Sequence, residues 1–140
     1  LNIVLKTPTG KSLKTKAVFS GANHAKGLSG VPSFEFGADQ AMFFYYSSSG
    51  PKSFWMPDTY FDLDIFFLNE KLKILDIERN VPHHPGRAEP PAIARTRVIP
   101  CRHVLEMRAD SPLAKKLKIG DTLDWVSSPG LEQIKLNTHP

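Results

Sequence analysis

With 140 residues, 18 Lys and Arg against 14 Asp and Glu, and a net charge of +4, the chain has the size of one domain with its own core. Its one cysteine, Cys101, excludes an internal disulfide and a cysteine-rich zinc site, and no apolar run approaches the roughly 20 residues of a membrane span. The 12 prolines exceed the usual share of about 5% and argue for turns and strand ends rather than long helices.

Asn2 to Lys6 alternates polar and apolar residues, with Ile3 and Leu5 on one side, and Thr7-Pro-Thr-Gly10 reads as a turn. Ser12 to Phe19 continues the period of two: Leu13, Thr15, Ala17 and Phe19 share a face opposite Lys14, Lys16 and Val18. Together these predict an N-terminal hairpin. Ser20 to Gly30 holds a turn or two of helix, with Asn23 as a candidate N-cap. Lys6, Lys11, Lys14, Lys16 and Lys26 precede the first acid, so the front of the chain is basic and its middle acidic. The lysines alternate along a strand while the aromatics sit in the acidic part, so a solvated face is expected and nucleic acid is not the expected partner.

Ala41 to Tyr46 is an aromatic strand, in which Phe43-Phe44 and Tyr45-Tyr46 are expected to divide between core and surface. Ser47 to Lys52 is a turn, and Phe54 to Met56 starts an opposing segment that Pro57 interrupts and Asp62 to Leu68 resumes. Leu72 to Arg79 follows as a strand. Asn80 to Arg97, with Pro82, Pro85, Pro90 and Pro91, is irregular and long for a mere connector. Val98 to Met107 is extended, and Asp110 to Gly120 is the clearest helix, capped by Asp110 or Ser111. Asp121 to Val126 makes a last strand. The expected organisation is a single β-rich domain over residues 1–126 and a C-terminal tail over 127–140.

The sequence Gly27-Leu-Ser, Ala41-Met-Phe-Phe, Phe54-Trp-Met-Pro-Asp-Thr, Leu63-Asp-Ile, Val104-Leu-Glu and Leu117-Lys-Ile-Gly-Asp121 resembles, in order and spacing, the uncharacterised family named domain of unknown function 192. The resemblance runs from about Leu1 to Trp125. It implies a mainly β fold, a compact jelly-roll-like sandwich or distorted barrel with one or two short helices. It also implies export, because many relatives carry a leader or lipid anchor. No leader precedes Leu1, so the expected setting is periplasmic or extracellular after processing, with the cytoplasm as the alternative. The chain departs from the family pattern at Asp58 (usually Asn), Pro57 (often Lys), Ser29 (Met) and Ala41 (Gly).

Trp55, Asp58, Thr59 and Asp64 combine an indole, two carboxylates and a hydroxyl, the groups a pocket for a small polar, partly apolar ligand would use; a sugar ring is one such ligand. His84 is a candidate wall over Asp58, and Glu106 a candidate carboxylate from another strand. The competing expectation is structural: an Asx or ST turn at Asp58-Thr59, and an inward Asp64 paired with an arginine. Asp62 and Asp64, two apart on a strand, with Asp58 or Glu106, leave a glycosidase-like hydrolase as an alternative, or a Ca2+ site. Exposed aromatics leave a protein-interaction module as another. Adjacent His83 and His84 point apart in extended backbone, and His24 and His103 add no ligand spacing, so no metal and no cofactor are expected. Arg102 and His103 beside Cys101 would lower its thiol pKa if they lay close; otherwise Cys101 is a small half-buried strand residue.

Overall fold

The computed structural model describes residues 1–19 and 21–126. The tail expected at 127–140 lies outside the described residues, as does the side chain of Asn23. The fold is mainly β. Strands β1 (Asn2–Lys6) and β2 (Ser12–Val18) form the expected antiparallel hairpin, Leu5 facing Leu13. A short helix α1 (Gly21–Lys26) and a 3-10 turn at Ser33–Glu35 carry the chain to β3 (Gln40–Phe44), which lies parallel to β2. After β4 (Gly50–Lys52), β5 (Leu63–Leu68), β6 (Ile74–Val81), β7 (Ile99–Cys101) and β8 (His103–Arg108) come helix α2 (Pro112–Lys116) and β9 (Asp124–Trp125).

The principal sheet has seven strands in the order β6-β5-β8-β3-β2-β1-β9, and β4 pairs only with β7. Strand β8 thus lies between β3 and β5, which the sequence led us to expect opposite one another. The stretch from 45 to 62 is too long for a hairpin turn, and within it residues 50–52, expected as a turn, become β4 against β7. The sheet curls into a half-barrel until its edges meet. Ile74 N–H donates to Asp121 O, Gly120 N–H to Ile74 O, and Leu123 N–H to Leu72 O. Of the two expected architectures the distorted barrel is the one formed, and this contact removes an open strand edge.

Helix α2 is shorter than the sequence suggests. Ser111, rather than Asp110, is the cap: its Oγ accepts from Ala114 N–H at 3.2 Å. Leu117 is already extended (φ −75°, ψ 139°), because its side chain is buried in the barrel core. Among the described residues, no helix is long and apolar enough to cross a membrane.

Both faces of the sheet carry a core. Inside the barrel lie Leu5, Leu13, Phe43, Phe66, Leu105 and Met107; on the outer face lie Met42, Phe44, Ile65, Phe67 and Val104, covered by Leu28, Phe36, Met56 and Phe61 from the loops. Hence all six residues of β5 are buried. It also corrects the expectation for the aromatic pairs: Phe43, Phe44 and Tyr45 are all buried, and only Tyr46 is partly exposed. Full burial of each such ring stabilises by roughly 1.5–3 kcal/mol, so the outer layer is a structural element in its own right.

Candidate functional site

Residues 54–59 cross the outer face of the sheet as an extended segment held on both sides. On one side it bonds the proline-rich loop: Thr96 N–H donates to Phe54 O, Met56 N–H to Ala94 O, Asp58 N–H to Gly86 O, and Thr59 N–H to His84 O. On the other it bonds the turn after α1, where Ser29 Oγ donates to Pro57 O at 2.9 Å and Gly30 N–H to Asp58 O at 2.8 Å. Pro57 has no N–H to give, and Asp58 takes a left-handed conformation (φ 55°) that Asp tolerates better than most residues.

Beneath this segment is a small pocket of about 40 Å3. Glu106 of β8 lines it, with Phe44, Phe54, Trp55, Met56 and Leu63 as its walls. Thr59 adds a hydroxyl, while His24, Lys26, Gly27, Leu28 and Ser29 complete the lining. Gly27 is required here: its φ is +47°, and a Cβ would stand 3.2 Å from the Phe44 ring. The pocket is small and partly open to solvent.

Glu106 is 4% exposed and, among the described residues, makes no hydrogen bond or ion pair. Its cross-strand neighbours are Met42 and Ile65, which offer it nothing polar. Burial alone pushes its carboxyl pKa up to about 8, so it is mostly protonated at neutral pH. Tyr46 is pushed up to about 12, first by its own burial and then by the charges of Cys101 and Glu106.

The other three acidic candidates, Asp58, Asp62 and Asp64, have partners. Asp64 is equally buried but faces the opposite side of β5, where Arg79 Nη1 donates to it at 2.8 Å and Asn80 N–H at 2.9 Å. Arg79 also donates to the carbonyls of Ala114 and Leu117, tying β6 to the end of α2. Asp58 accepts from Arg87 Nε at 2.9 Å, and Asp62 is bonded to His83 Nδ1 at 2.6 Å. Asp58, Asp62, Asp64 and Glu106 therefore face four different places, and the paired carboxylates that a glycosidase needs do not form. Among the described residues no group of three or more His, Cys, Asp or Glu could hold a metal ion.

Of the residues the sequence singled out, Trp55, Thr59 and Glu106 come together at the pocket. Asp58, Asp64 and His84 do not line it. Thr59 Oγ1 donates to Met56 O at 2.8 Å and accepts from His84 N–H at 3.0 Å, while His84 Nε2 donates to Ala88 O at 2.8 Å. These bonds hold Thr59 in a structural role, but not as the expected ST turn: its hydroxyl donates to a carbonyl three residues back and accepts from an N–H 25 residues away. His24, Lys26, Phe44 and Phe54 were not singled out as site residues; Gly27-Leu-Ser beside the first pair was the available clue. Trp55 is 45% exposed at the mouth, with the Arg95 and Arg87 guanidinium carbons 5.3 and 5.9 Å from its ring centre. The Cys101 thiol is buried; desolvation pushes its pKa up against the opposing pull of nearby Lys52, so it is not an activated nucleophile. His103, also buried, is pushed down to about 3 by desolvation and the charges of Arg102 and Lys52, and its Nδ1 accepts from Tyr46 N–H.

A larger open hollow of about 520 Å3 lies against Lys14, Lys16, Leu28, Glu35 and Met42, but no buried polar side chain in it lacks a partner.

The family model for DUF192, described as "Uncharacterized ACR", matches residues 4–125 of this chain. No curated protein matches it. The fold is similar to that of a provisionally assigned transcription regulator from Sinorhizobium meliloti 1021, at 25% identity and a TM-score of 0.68, over 89% of this chain and 92% of that one. It is similar as well to a protein of unknown function from Novosphingobium aromaticivorans DSM 12444, at 23% identity and a TM-score of 0.67, over 89% of this chain and 84% of that one.

Proposed function

The chain belongs to the DUF192 family, and from that premise we propose that it is a binding or accessory module whose ligand site is the Glu106 pocket. The observation that carries this reading is convergence. Gly27-Leu28-Ser29, Phe44, Phe54-Trp55-Met56, Thr59, Leu63 and Glu106 are far apart in sequence, come from all but the last of the elements that carry the family resemblance, and meet at one pocket, onto which the unpaired Glu106 carboxyl opens. A carboxyl left without a partner in an apolar wall costs stability, and a ligand that bonds it recovers that cost. Trp55, half exposed at the mouth, supplies the apolar contact.

The pocket's size limits what enters to a group of two or three heavy atoms, such as the end of a longer molecule. The name of the S. meliloti protein would point to nucleic acid, but Lys14 of the basic hairpin is paired with Asp39 and no exposed aromatic interleaves with its lysines. We keep the extracytoplasmic setting as part of the proposal; fractionation of cells expressing the complete gene product tests it.

The binding reading is tested by an NMR screen of the native protein with fragments of up to four heavy atoms, reading the Trp55 indole and the Met56 and Leu63 methyl signals. Saturable shifts confined to those groups, lost in Trp55→Ala, are the expected result. A screen in which no fragment moves them overturns the reading.

A further inference from the structure

We propose that the group taken by this pocket is an ammonium head, held by the Glu106 carboxylate among the rings of Phe44, Phe54 and Trp55; this rests on the binding reading above. Of the polar groups lining it, Thr59, Ser29 and His24 are bonded within the fold and Lys26 is exposed, which leaves Glu106, 4% exposed, as the buried one without a hydrogen-bond or ionic partner among the described residues. A ligand must supply what the fold withholds. A hydroxyl would satisfy the carboxyl alone, whereas a cation is attracted both by the carboxylate and by aromatic rings. An ammonium with one carbon attached also matches a volume of about 40 Å3.

The charges that face the site are consistent with this choice. Lys26 and His24 line the rim, but Lys26 is exposed and the His24 Nε2–H is committed to Val18 O at 3.0 Å. Tyr46, just beyond the end of β3, stays neutral up to about pH 12. Arg87 and Arg95 sit over Trp55 in solvent, where salt screens them. Arg95 has no acidic partner among the described residues and favours ammonium compounds that carry an anionic group at their far end.

Binding is coupled to a proton. The free site holds Glu106 as the acid, and the complex holds carboxylate and ammonium, so one proton passes to solvent. Affinity for a permanently charged head therefore rises with pH until Glu106 ionises unaided. With a midpoint near 8, the gain from pH 7 to pH 9 is about tenfold.

The test titrates the native protein with methylammonium chloride, with methanol as neutral match and sodium chloride as ionic control, following the Trp55 indole and Met56 methyl signals at pH 7 and pH 9. The expected result is saturation by methylammonium only, about tenfold tighter at pH 9, and lost in a Glu106→Gln variant whose amide spectrum is otherwise native. Equal saturation by methanol and methylammonium, or binding that Glu106→Gln leaves intact, overturns the ammonium assignment and leaves the binding reading standing. No saturable shift with either compound overturns the ammonium assignment, and the fragment screen above decides the binding reading separately.

Discussion

Asp64 and Glu106 are buried carboxyl groups on neighbouring strands of one sheet, within a residue of each other in register, and they point to opposite faces. On the inner side Asp64 meets Arg79 and the Asn80 N–H, and Arg79 carries the bond onward to the end of α2. On the outer side Glu106 meets only apolar neighbours and a pocket. The first arrangement is complete, so it is architecture. The second is incomplete, so it is the place where the molecule has something left to bind. Burial is alike in both; what separates a clamp from a site is whether the fold supplies the partner.

The largest effect should come from breaking the completed side. Asp64→Ala leaves Arg79 with no counter-ion and α2 without its tether. Arg79 is about a third exposed, so we expect a loss at the low end for a broken buried pair, about 3 kcal/mol in urea denaturation at pH 7. A loss below about 1 kcal/mol would mean that the clamp is dispensable.

The incomplete side should show itself in the pH dependence of stability. Glu106 has a folded pKa raised to about 8, so the stability its protonated form contributes is present below 4.5 and is lost as pH rises through 8. His103 is lowered to about 3, so its contribution is present above 6.5 and lost as pH falls toward 3. Between 4.5 and 6.5 the two slopes cancel. Native stability should therefore be level there and fall by about 1 kcal/mol from pH 6.5 to pH 8, read from urea midpoints. Glu106→Gln should remove that alkaline fall and keep the acid one. A native curve that is level to pH 9 would remove the contrast between the two carboxyls.

Smaller effects sharpen the boundary of the site. Thr59→Val removes one hydroxyl that serves both Met56 O and His84 N–H, and should cost about 1–2 kcal/mol by thermal denaturation. Trp55→Ala, half exposed at the mouth, should change stability by less than about 1 kcal/mol while abolishing fragment binding in the NMR screen.

The sequence made the hairpin legible, because β1 and β2 alternate cleanly: β2 reads exposed and buried by turns as far as Ala17. It made β5 hard to place, since a strand buried on both faces loses its period, and Phe43-Phe44 were divided between core and surface for the same reason. Trp55, Thr59 and Glu106 could be found from residue type and motif. Asp64 was grouped with them by closeness in sequence, but one residue from Leu63 it necessarily faces the other way. Which strand lies between β3 and β5 is a question of long-range pairing, and no local pattern carried it.

What sets Glu106 apart is that it is unpartnered and holds its proton at neutral pH. Carbon-13 NMR titration of the Glu106 carboxyl, assigned by its absence in Glu106→Gln, tests this directly. A midpoint near 8, falling when methylammonium is present, is expected. A midpoint near 4.5, the ordinary value for a solvated glutamate, would contradict it.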